Sequence, residues 1–463
     1  MLAAEGLACA QNPPSAPDHP WDSPLAEHQL KVPQRPVSTA VLDPAKVYTL
    51  SELVNIAEEN NPDTRVAWQN AKARAADLGV AKSTLYPTLA AEALAGTTRE
   101  DIFFGNSFQR QTVETFSPVL ALDYIIFDFG RRSEKISISR NNLLAANFQF
   151  NDIHRRVIFG VMQTYYHLLD TKGLQGAAEA NLKNAQTVDQ AAEARLQLGL
   201  ATLPDVLEAR SAVAQADYNL QAAIGATEIA HGDLATALGI SPTVEFQVES
   251  IQTIKMPDTI GDTVETSIDK ALAQRPDLLQ RVADLRATSA EVKEAQRDFF
   301  PTLSVDGNAG MARAFGQQGQ IPGLYSPTIN PWNAQLTLSW TLFDGLAREK
   351  RLQRAQADQK QAAATVDSIR DQVENQVWSA YSTARTALRQ QKAAAALLEA
   401  ATESYNAALE SYNYGVRSQI DVVSAQRTLA DARTADVTAR TRLLTGLAAL
   451  SYQTGNLLYA KTP

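Results

Sequence analysis

Apolar residues between positions 131 and 238 recur at helical spacing. Ile136, Leu143, Phe150 and Val157 stand seven residues apart, the period of a coiled-coil seam. The pattern predicts a very long helix at about 131–198 and a second at about 203–238, and a matching pair at about 347–414 and 420–454. At 1.5 Å per residue the longer member of each pair spans roughly 100 Å, far beyond a globular helix. The many alanines in these stretches allow close helix approach.

Ahead of each pair the period changes to two. Leu336, Leu338, Trp340 and Leu342 alternate with Gln335, Thr337, Ser339 and Thr341 over 334–343, and a partner strand is expected at 302–312. The earlier counterparts are weaker: Leu89, Ala91, Ala93 and Ala95, then Leu120, Leu122, Tyr124 and Ile126, with Asp123 on the polar side. Such alternation predicts a sheet with one apolar and one polar face. Segments 102–111 and 314–330, where Gly, Pro, Gln and Asn cluster, read as loops.

The two sets are copies. Asn61-Pro62-Asp63 returns as Arg275-Pro276-Asp277, and Tyr86-Pro87-Thr88-Leu89 as Phe300-Pro301-Thr302-Leu303, both 214 residues later. After a two-residue insertion the register holds to the end: Phe127-Asp128 matches Phe343-Asp344, Tyr165 matches Tyr381, Gly199 and Asp205 match Gly415 and Asp421, and Gly239 matches Gly455. The chain therefore divides into a Pro-rich linker (1–46), a first repeat (47–239), a joining segment (240–262), a second repeat (263–456) and a short tail (457–463). Each repeat holds two short helices separated by a proline start, two strands and a long helical hairpin. At the hairpin turns Gly199 and Gly415 suit the left-handed position after a helix, while Thr202-x-x-Asp205 and Ser418-x-x-Asp421 have the capping-box spacing.

Composition narrows the function. No stretch of the 463 residues approaches the roughly 18 uninterrupted apolar residues of a membrane-spanning helix. Lys+Arg 42 against Asp+Glu 51 gives net −9 without a basic block, so nucleic acid is not an expected partner. Cys9 is the only cysteine, and His19, His28, His154, His167 and His231 are scattered, so neither a disulfide framework, a metal site nor a cofactor is expected. Residues 1–8 lack the basic and apolar regions of a signal peptide.

Four strands cannot close a barrel, and an open sheet with an apolar face exposes reactive edges. Three copies would supply twelve strands, apolar side to lipid and polar side to water, under a ring of helices with sixfold pseudosymmetry. The order helix, two strands, long hairpin, given twice, with Phe127-Asp128-Phe129-Gly130-Arg131, Phe343-Asp344 and Tyr412-x-x-Gly415-x-Arg417-x-x-x-Asp421-Val422, resembles the TolC family of outer membrane efflux proteins over about residues 47–456. The resemblance implies a mainly α fold with a membrane β-barrel part: an internally duplicated chain whose helical hairpins build an α-barrel and whose four strands complete a 12-stranded β-barrel in a homotrimer. It further implies an outer membrane duct of a Gram-negative bacterium, reaching into the periplasm and docking through a periplasmic adaptor onto an inner-membrane pump, without chemistry of its own.

By the same resemblance Tyr412, Arg417, Asp421 and Asp205 fall on the positions that hold the family's periplasmic entrance closed, Tyr412 and Arg417 as ties between subunits. Pro204 and Ser424 depart from the pattern of TolC itself, which has a hydroxyl residue and a second acid there. Asp205 and Asp421 also read simply as helix caps; threefold symmetry would gather six such carboxylates near one axis, where they could select cations. Tyr124, Tyr325, Trp332 and Trp340, with Phe103 and Phe104, are candidates for interfacial girdles around outer membrane lipid, against the reading of ordinary strand packing. Gly6-Leu7-Ala8-Cys9 partly fits a lipobox, which makes Cys9 a candidate for acylation. A soluble coiled-coil scaffold or adaptor is the alternative; it explains the heptads but not four alternating strands with Trp-rich ends. An enzyme finds no phosphate loop or nucleophile elbow to support it.

Overall fold

The computed structural model describes residues 42–104, 107–318 and 328–458. Cys9, Tyr325, the tail from 459 and most of the Pro-rich segment lie outside the described residues, as do the side chains of Phe103 and Phe104. Leu42, near the end of that Pro-rich segment, is buried.

Strand β1 (Val47–Tyr48) leads into α1 (Leu50–Asn60), which Thr49 and Glu52 start with a reciprocal capping box. The helix ends at Asn61 because Pro62 follows; Asn61 caps α2 (Pro62–Ser83) by accepting from the Asp63 N–H at 2.8 Å. Strands β2 (Thr88–Phe104) and β3 (Ser107–Phe127) come next, then α3 (Arg131–Gln197), α4 (Leu203–Ala237) and the short strand β4 (Gln247–Val248), which pairs with β1. The second repeat supplies α5 (Val264–Gln274), α6 (Pro276–Arg297), β5 (Thr302–Gly310), β6 (Ala312–Gln318), β7 (Thr328–Ile329), β8 (Trp332–Ser339), α7 (Ala347–Asn413) and α8 (Gln419–Thr454). Among the described residues no helix is long and apolar enough to cross a membrane.

In the wall of helices, α2 and α4 lie end to end along one flank of α3, while α6 and α8 lie end to end between α3 and α7. The repeated glycines mark the two joints. Gly239 (φ 75°) ends α4 so close to the start of α2 that a Cβ would stand 2.9 Å from the Asn60 carbonyl oxygen, and Gly455 (φ 82°) ends α8 against Gln274 and Arg275. Arg275 donates to the Gln453 side chain at 2.9 Å and makes two bonds to Asp277. Beside it Arg155, 1% exposed, donates to Asp152 at 2.6 Å and to the Tyr452 carbonyl at 3.0 Å; Arg156 also bonds Asp152. This buried ionic knot links α3, α6 and α8, where leaving one charge unpaired would be costly. The joining segment 240–262 sends Ile240, Phe246, Val248 and Ile251 into the main core with Leu53 and Ala57 of α1 and Val161, Tyr165 and Leu168 of α3.

The sheet is an antiparallel set four strands wide, with β2 beside β3, β3 beside β5 and β6 in turn, and these beside β8 and β7. The register aligns the faces across it. One row holds Tyr124, Val305 and Leu336 and another Leu89, Leu122, Gly307 and Ala334, whereas Thr88, Asp123, Asp306 and Gln335 form a row on the opposite side. Thr337 and Ser304 donate to Asp306 at 3.1 and 3.3 Å.

The strands differ from expectation in extent. Residues 102–104 and 107–111, expected within a loop, continue the β2–β3 ladder, and 314–318 continue in β6. The sequence there does not alternate (Ile102, Phe103 and Phe104 run together, opposite 107–109), so the backbone ladder continues without a period of two to announce it. The expected single strand 302–312 breaks at Met311, beside Pro118 and Pro331, which have no N–H to give a ladder; the Met311 and Gly310 N–H groups donate instead to the Pro118 and Pro331 carbonyls at 3.0 and 3.1 Å. The last strand starts at Trp332 and stops at Ser339, short of the expected end at 343.

Where strand becomes helix, the duplicated Phe-Asp pairs have one task. Asp128 accepts from the Arg132 N–H and Nε, both at 2.9 Å, and Arg132 reaches the Thr84 carbonyl at 3.0 Å; Asp344 and Arg348 repeat the arrangement at 3.1 and 3.0 Å. Phe129 (φ 53°) and Leu346 (φ 69°) are held left-handed at these corners.

Candidate functional site

The predicted gate residues gather at the free ends of the two hairpins. At the first, Gly199 takes φ 72°, the Leu200 N–H donates to the Arg195 carbonyl at 2.8 Å and the Gly199 N–H to the Leu196 carbonyl at 2.9 Å. The second repeats this with Gly415 (φ 76°), Val416 donating to Ser411 at 2.9 Å and Gly415 to Tyr412 at 2.9 Å. Both are the closures a left-handed residue makes after a helix. The next helices begin in full capping boxes. Asp205 accepts from the Thr202 N–H and hydroxyl at 2.7 Å each; Asp421 accepts from the Ser418 N–H at 3.1 Å and hydroxyl at 2.8 Å. Backbone and then side-chain bonds from Thr202 hold the Asp205 carboxyl below the usual carboxylate range, and the Ser418 hydroxyl and N–H do the same for Asp421. Neither carboxyl is buried.

Tyr412 is turned into its own chain. It is 4% exposed, packed with Val188, Tyr405, Val422 and Leu429 inside one protomer. Its hydroxyl donates to Gln419 Oε1 at 3.3 Å, and Gln419 Nε2 donates to the Asp205 carbonyl at 2.8 Å. Burial pushes the phenol above its ordinary pKa, with Arg195 pulling the other way. Within the chain the register of α7 turns this ring toward α3, and its hydroxyl is taken up by Gln419. Arg417 stands in solvent at the turn.

Two features of the tips have no signature in spacing or periodicity. Arg195, near the end of α3, donates Nη1 to the Tyr412 carbonyl at 2.5 Å and holds its guanidinium 4.4 Å from the centre of the Tyr412 ring. A basic residue in the last turn before Gly199 is ordinary; only the fold brings it across 217 residues of chain. The second is the apolar skin of both tips: Leu198, Leu200 and Leu203 on one and Tyr414, Val416 and Ile420 on the other are 59–80% exposed. Their apolar character is readable in the sequence, their clustering at one end is not. Such a patch on a water-exposed helical end marks an interaction surface.

At the other end of the molecule Trp332 (78% exposed) opens β8 and Trp340 (60%) follows its close, roughly 25 Å apart along the strand direction. Trp340 Nε1 donates to the Phe299 carbonyl at 3.1 Å. Tyr124 is half-buried on the apolar face, with the Arg132 guanidinium 5.9 Å from its ring centre. Among the described residues no group of three or more His, Cys, Asp or Glu side chains is placed to hold a metal ion.

Comparison with known proteins agrees with this geometry. The sequence profile of the outer membrane efflux protein family matches residues 53–240 and 267–456, one stretch per repeat. Protein CyaE of Bordetella pertussis is 27% identical over 339 residues, covering 73% of this chain and 69% of that protein. Outer membrane protein OprJ of Pseudomonas aeruginosa is 24% identical over 358 residues, covering 77% and 73%. The crystal structure of the Campylobacter jejuni CmeC outer membrane channel superposes with a TM-score of 0.73 at 19% identity, covering 96% of this chain and 93% of that one.

Proposed function

The chain belongs to the outer membrane efflux protein family and forms a duct in the outer membrane for efflux or secretion, and from that premise we propose that it works as a homotrimer served by a periplasmic adaptor and an inner-membrane pump. The observation that carries the trimer is the sheet. Among the described residues its two outer strands, β2 and β8, each have one unpaired edge, and its faces are sorted into apolar and polar rows. Three such sheets joined edge to edge give twelve strands, no free edge, lipid outside and water within. A soluble scaffold would leave Leu89, Leu336 and Leu338, each 64–69% exposed, in water.

On this reading the repeats 47–239 and 263–456 each supply one sixth of the wall, and Trp332 and Trp340 mark the two interfacial belts. The hairpin tips form the periplasmic entrance. Asp205 and Asp421 make an acidic ring there, Arg417 is the residue available to a neighbour, and the Arg195–Tyr412–Gln419 linkage binds the two hairpins of one protomer into a single moving part. The exposed leucines and Tyr414, Val416 and Ile420 are the surface offered to the adaptor, whose docking would have to cover apolar tips. Transport is passive: the residues supply a path and a gate.

The test is direct. Light scattering in detergent should give three chains per particle, and planar bilayers should show discrete cation-preferring channels. A monomer soluble without detergent, or bilayers left silent by the purified trimer, refutes the reading.

A further inference from the structure

Just below the strands, α2, α3 and α6 enclose an open groove of about 570 Å³. Three cations line it, Lys82 at the end of α2, Arg140 on α3 and Lys293 on α6, against one carboxylate, Glu134. All three cations are exposed, and among the described residues none of them makes an ion pair. Leu85 and Tyr86, 46% and 72% exposed, form its rim on the strand side. We propose that this groove is a binding site for the phosphate of an anionic phospholipid from the inner leaflet of the outer membrane. The assignment rests on the duct reading above.

Height and side both fit. Tyr86 lies just before Thr88, where β2 begins, and the groove falls within the first turns of α3. The headgroup layer is roughly 5–8 Å deep on each side of the hydrocarbon, within reach of long Lys and Arg side chains from a turn or two below. Ser133 and Arg140 stand on a heptad stripe of α3 that continues to His154, paired with Glu58 of α1 at 2.9 Å, and to Val161 and Leu168, buried in the core that α1 shares. Helices added to a tube that must stay open lie on its outside, so the groove opens outward. It is also complete within one protomer, since α2 and α6 are the two flanks of α3, and assembly does not cover it. Three unpaired cations facing a headgroup layer, with an aromatic and a leucine toward the acyl region, match a phosphodiester carrying two chains.

Native mass spectrometry of the detergent-purified trimer, titrated with dioleoylphosphatidylglycerol and separately with dioleoylphosphatidylcholine, tests this. The parent should hold phosphatidylglycerol in clear preference, up to one per protomer. Each of K82Q, R140Q and K293Q should weaken it about five-fold, and the triple variant on the order of a hundred-fold, to the level of phosphatidylcholine. K183Q, far along α3 toward the tip, should change nothing. Equal binding of the two lipids by the parent, or undiminished phosphatidylglycerol on the triple variant, overturns the proposal. Displacement of the lipid by excess inorganic phosphate would reassign the groove to a free anion and overturns it as well. If the triple variant fails to assemble, the three single variants carry the same test. Channel conductance is recorded alongside: its absence in the parent refutes the duct, whereas its persistence in variants that have lost lipid separates the two conclusions.

Discussion

Replacing Arg195 by methionine isolates the link between the two hairpins, because the new side chain keeps the apolar stem and loses the guanidinium. Two interactions go. A charge-assisted bond to the Tyr412 carbonyl, 2.5 Å long, contributes about 1.5–3 kcal/mol, and the guanidinium over the Tyr412 ring at 4.4 Å adds about 0.5–1 kcal/mol at a half-exposed site. One cost is relieved, since Arg195 Nε is buried without a partner among the described residues, worth about 1 kcal/mol in return. The net loss is about 1–3 kcal/mol, which raises local opening of the tip roughly five- to hundred-fold. Hydrogen exchange read by mass spectrometry should show faster exchange at 405–423 and 188–200, with 157–169 in the main core unchanged. Bilayer recordings should show a larger open fraction. Arg417→Ala, which removes only a contact available to a neighbour, should leave the bonds between the two hairpins of one chain in place and so spare exchange at 188–200, and Tyr412→Phe, losing only a 3.3 Å bond to Gln419, should shift it by less than Arg195→Met. Exchange and gating identical to the parent in Arg195→Met would refute the coupling.

Asp205→Asn with Asp421→Asn should reduce cation preference while the trimer persists. Because both carboxyls are held below their ordinary value when folded, their caps contribute fully above the ordinary aspartate value of about 4 and are lost as pH falls through the depressed values; tip exchange should quicken only in that acid window, and the Asn pair should abolish the dependence. Leu336→Arg, midway between Trp332 and Trp340 on the apolar face, should cost about 2–4 kcal/mol of barrel stability, read as loss of heat-resistant trimer, whereas Gln335→Arg on the polar face should spare the trimer and shift ion selectivity. Gly173→Ala should lower the melting temperature, since a Cβ there would stand 2.6 Å from Val437 Cγ1 where α3 meets α8; overpacking of this kind costs about 1–3 kcal/mol.

Sequence alone determined what local rules control. The helix ends fall within a residue of the periodic limits, 131–197 for an expected 131–198 and 347–413 for 347–414, because glycine after a helix and Thr or Ser with Asp three residues on act through hydrogen bonds only a few residues apart. Duplication is legible for the same reason: each repeat must satisfy the same joints, and Gly239 and Gly455 do so at the two places where one helix abuts another. Tertiary structure decided everything that depends on which surfaces meet. The motif places Tyr412 along the chain but not in space: the rotation within one turn of α7 decides that its ring packs against Val188. Arg195 acquires its role only from a carbonyl 217 residues away. The strands outrun their alternation because a backbone ladder, once begun, continues through residues of mixed character such as 102–104 without needing an apolar face. Lys82, Arg140 and Lys293 come from three helices in both repeats, and no spacing in the chain brings them together; packing of α2 and α6 on either side of α3 does.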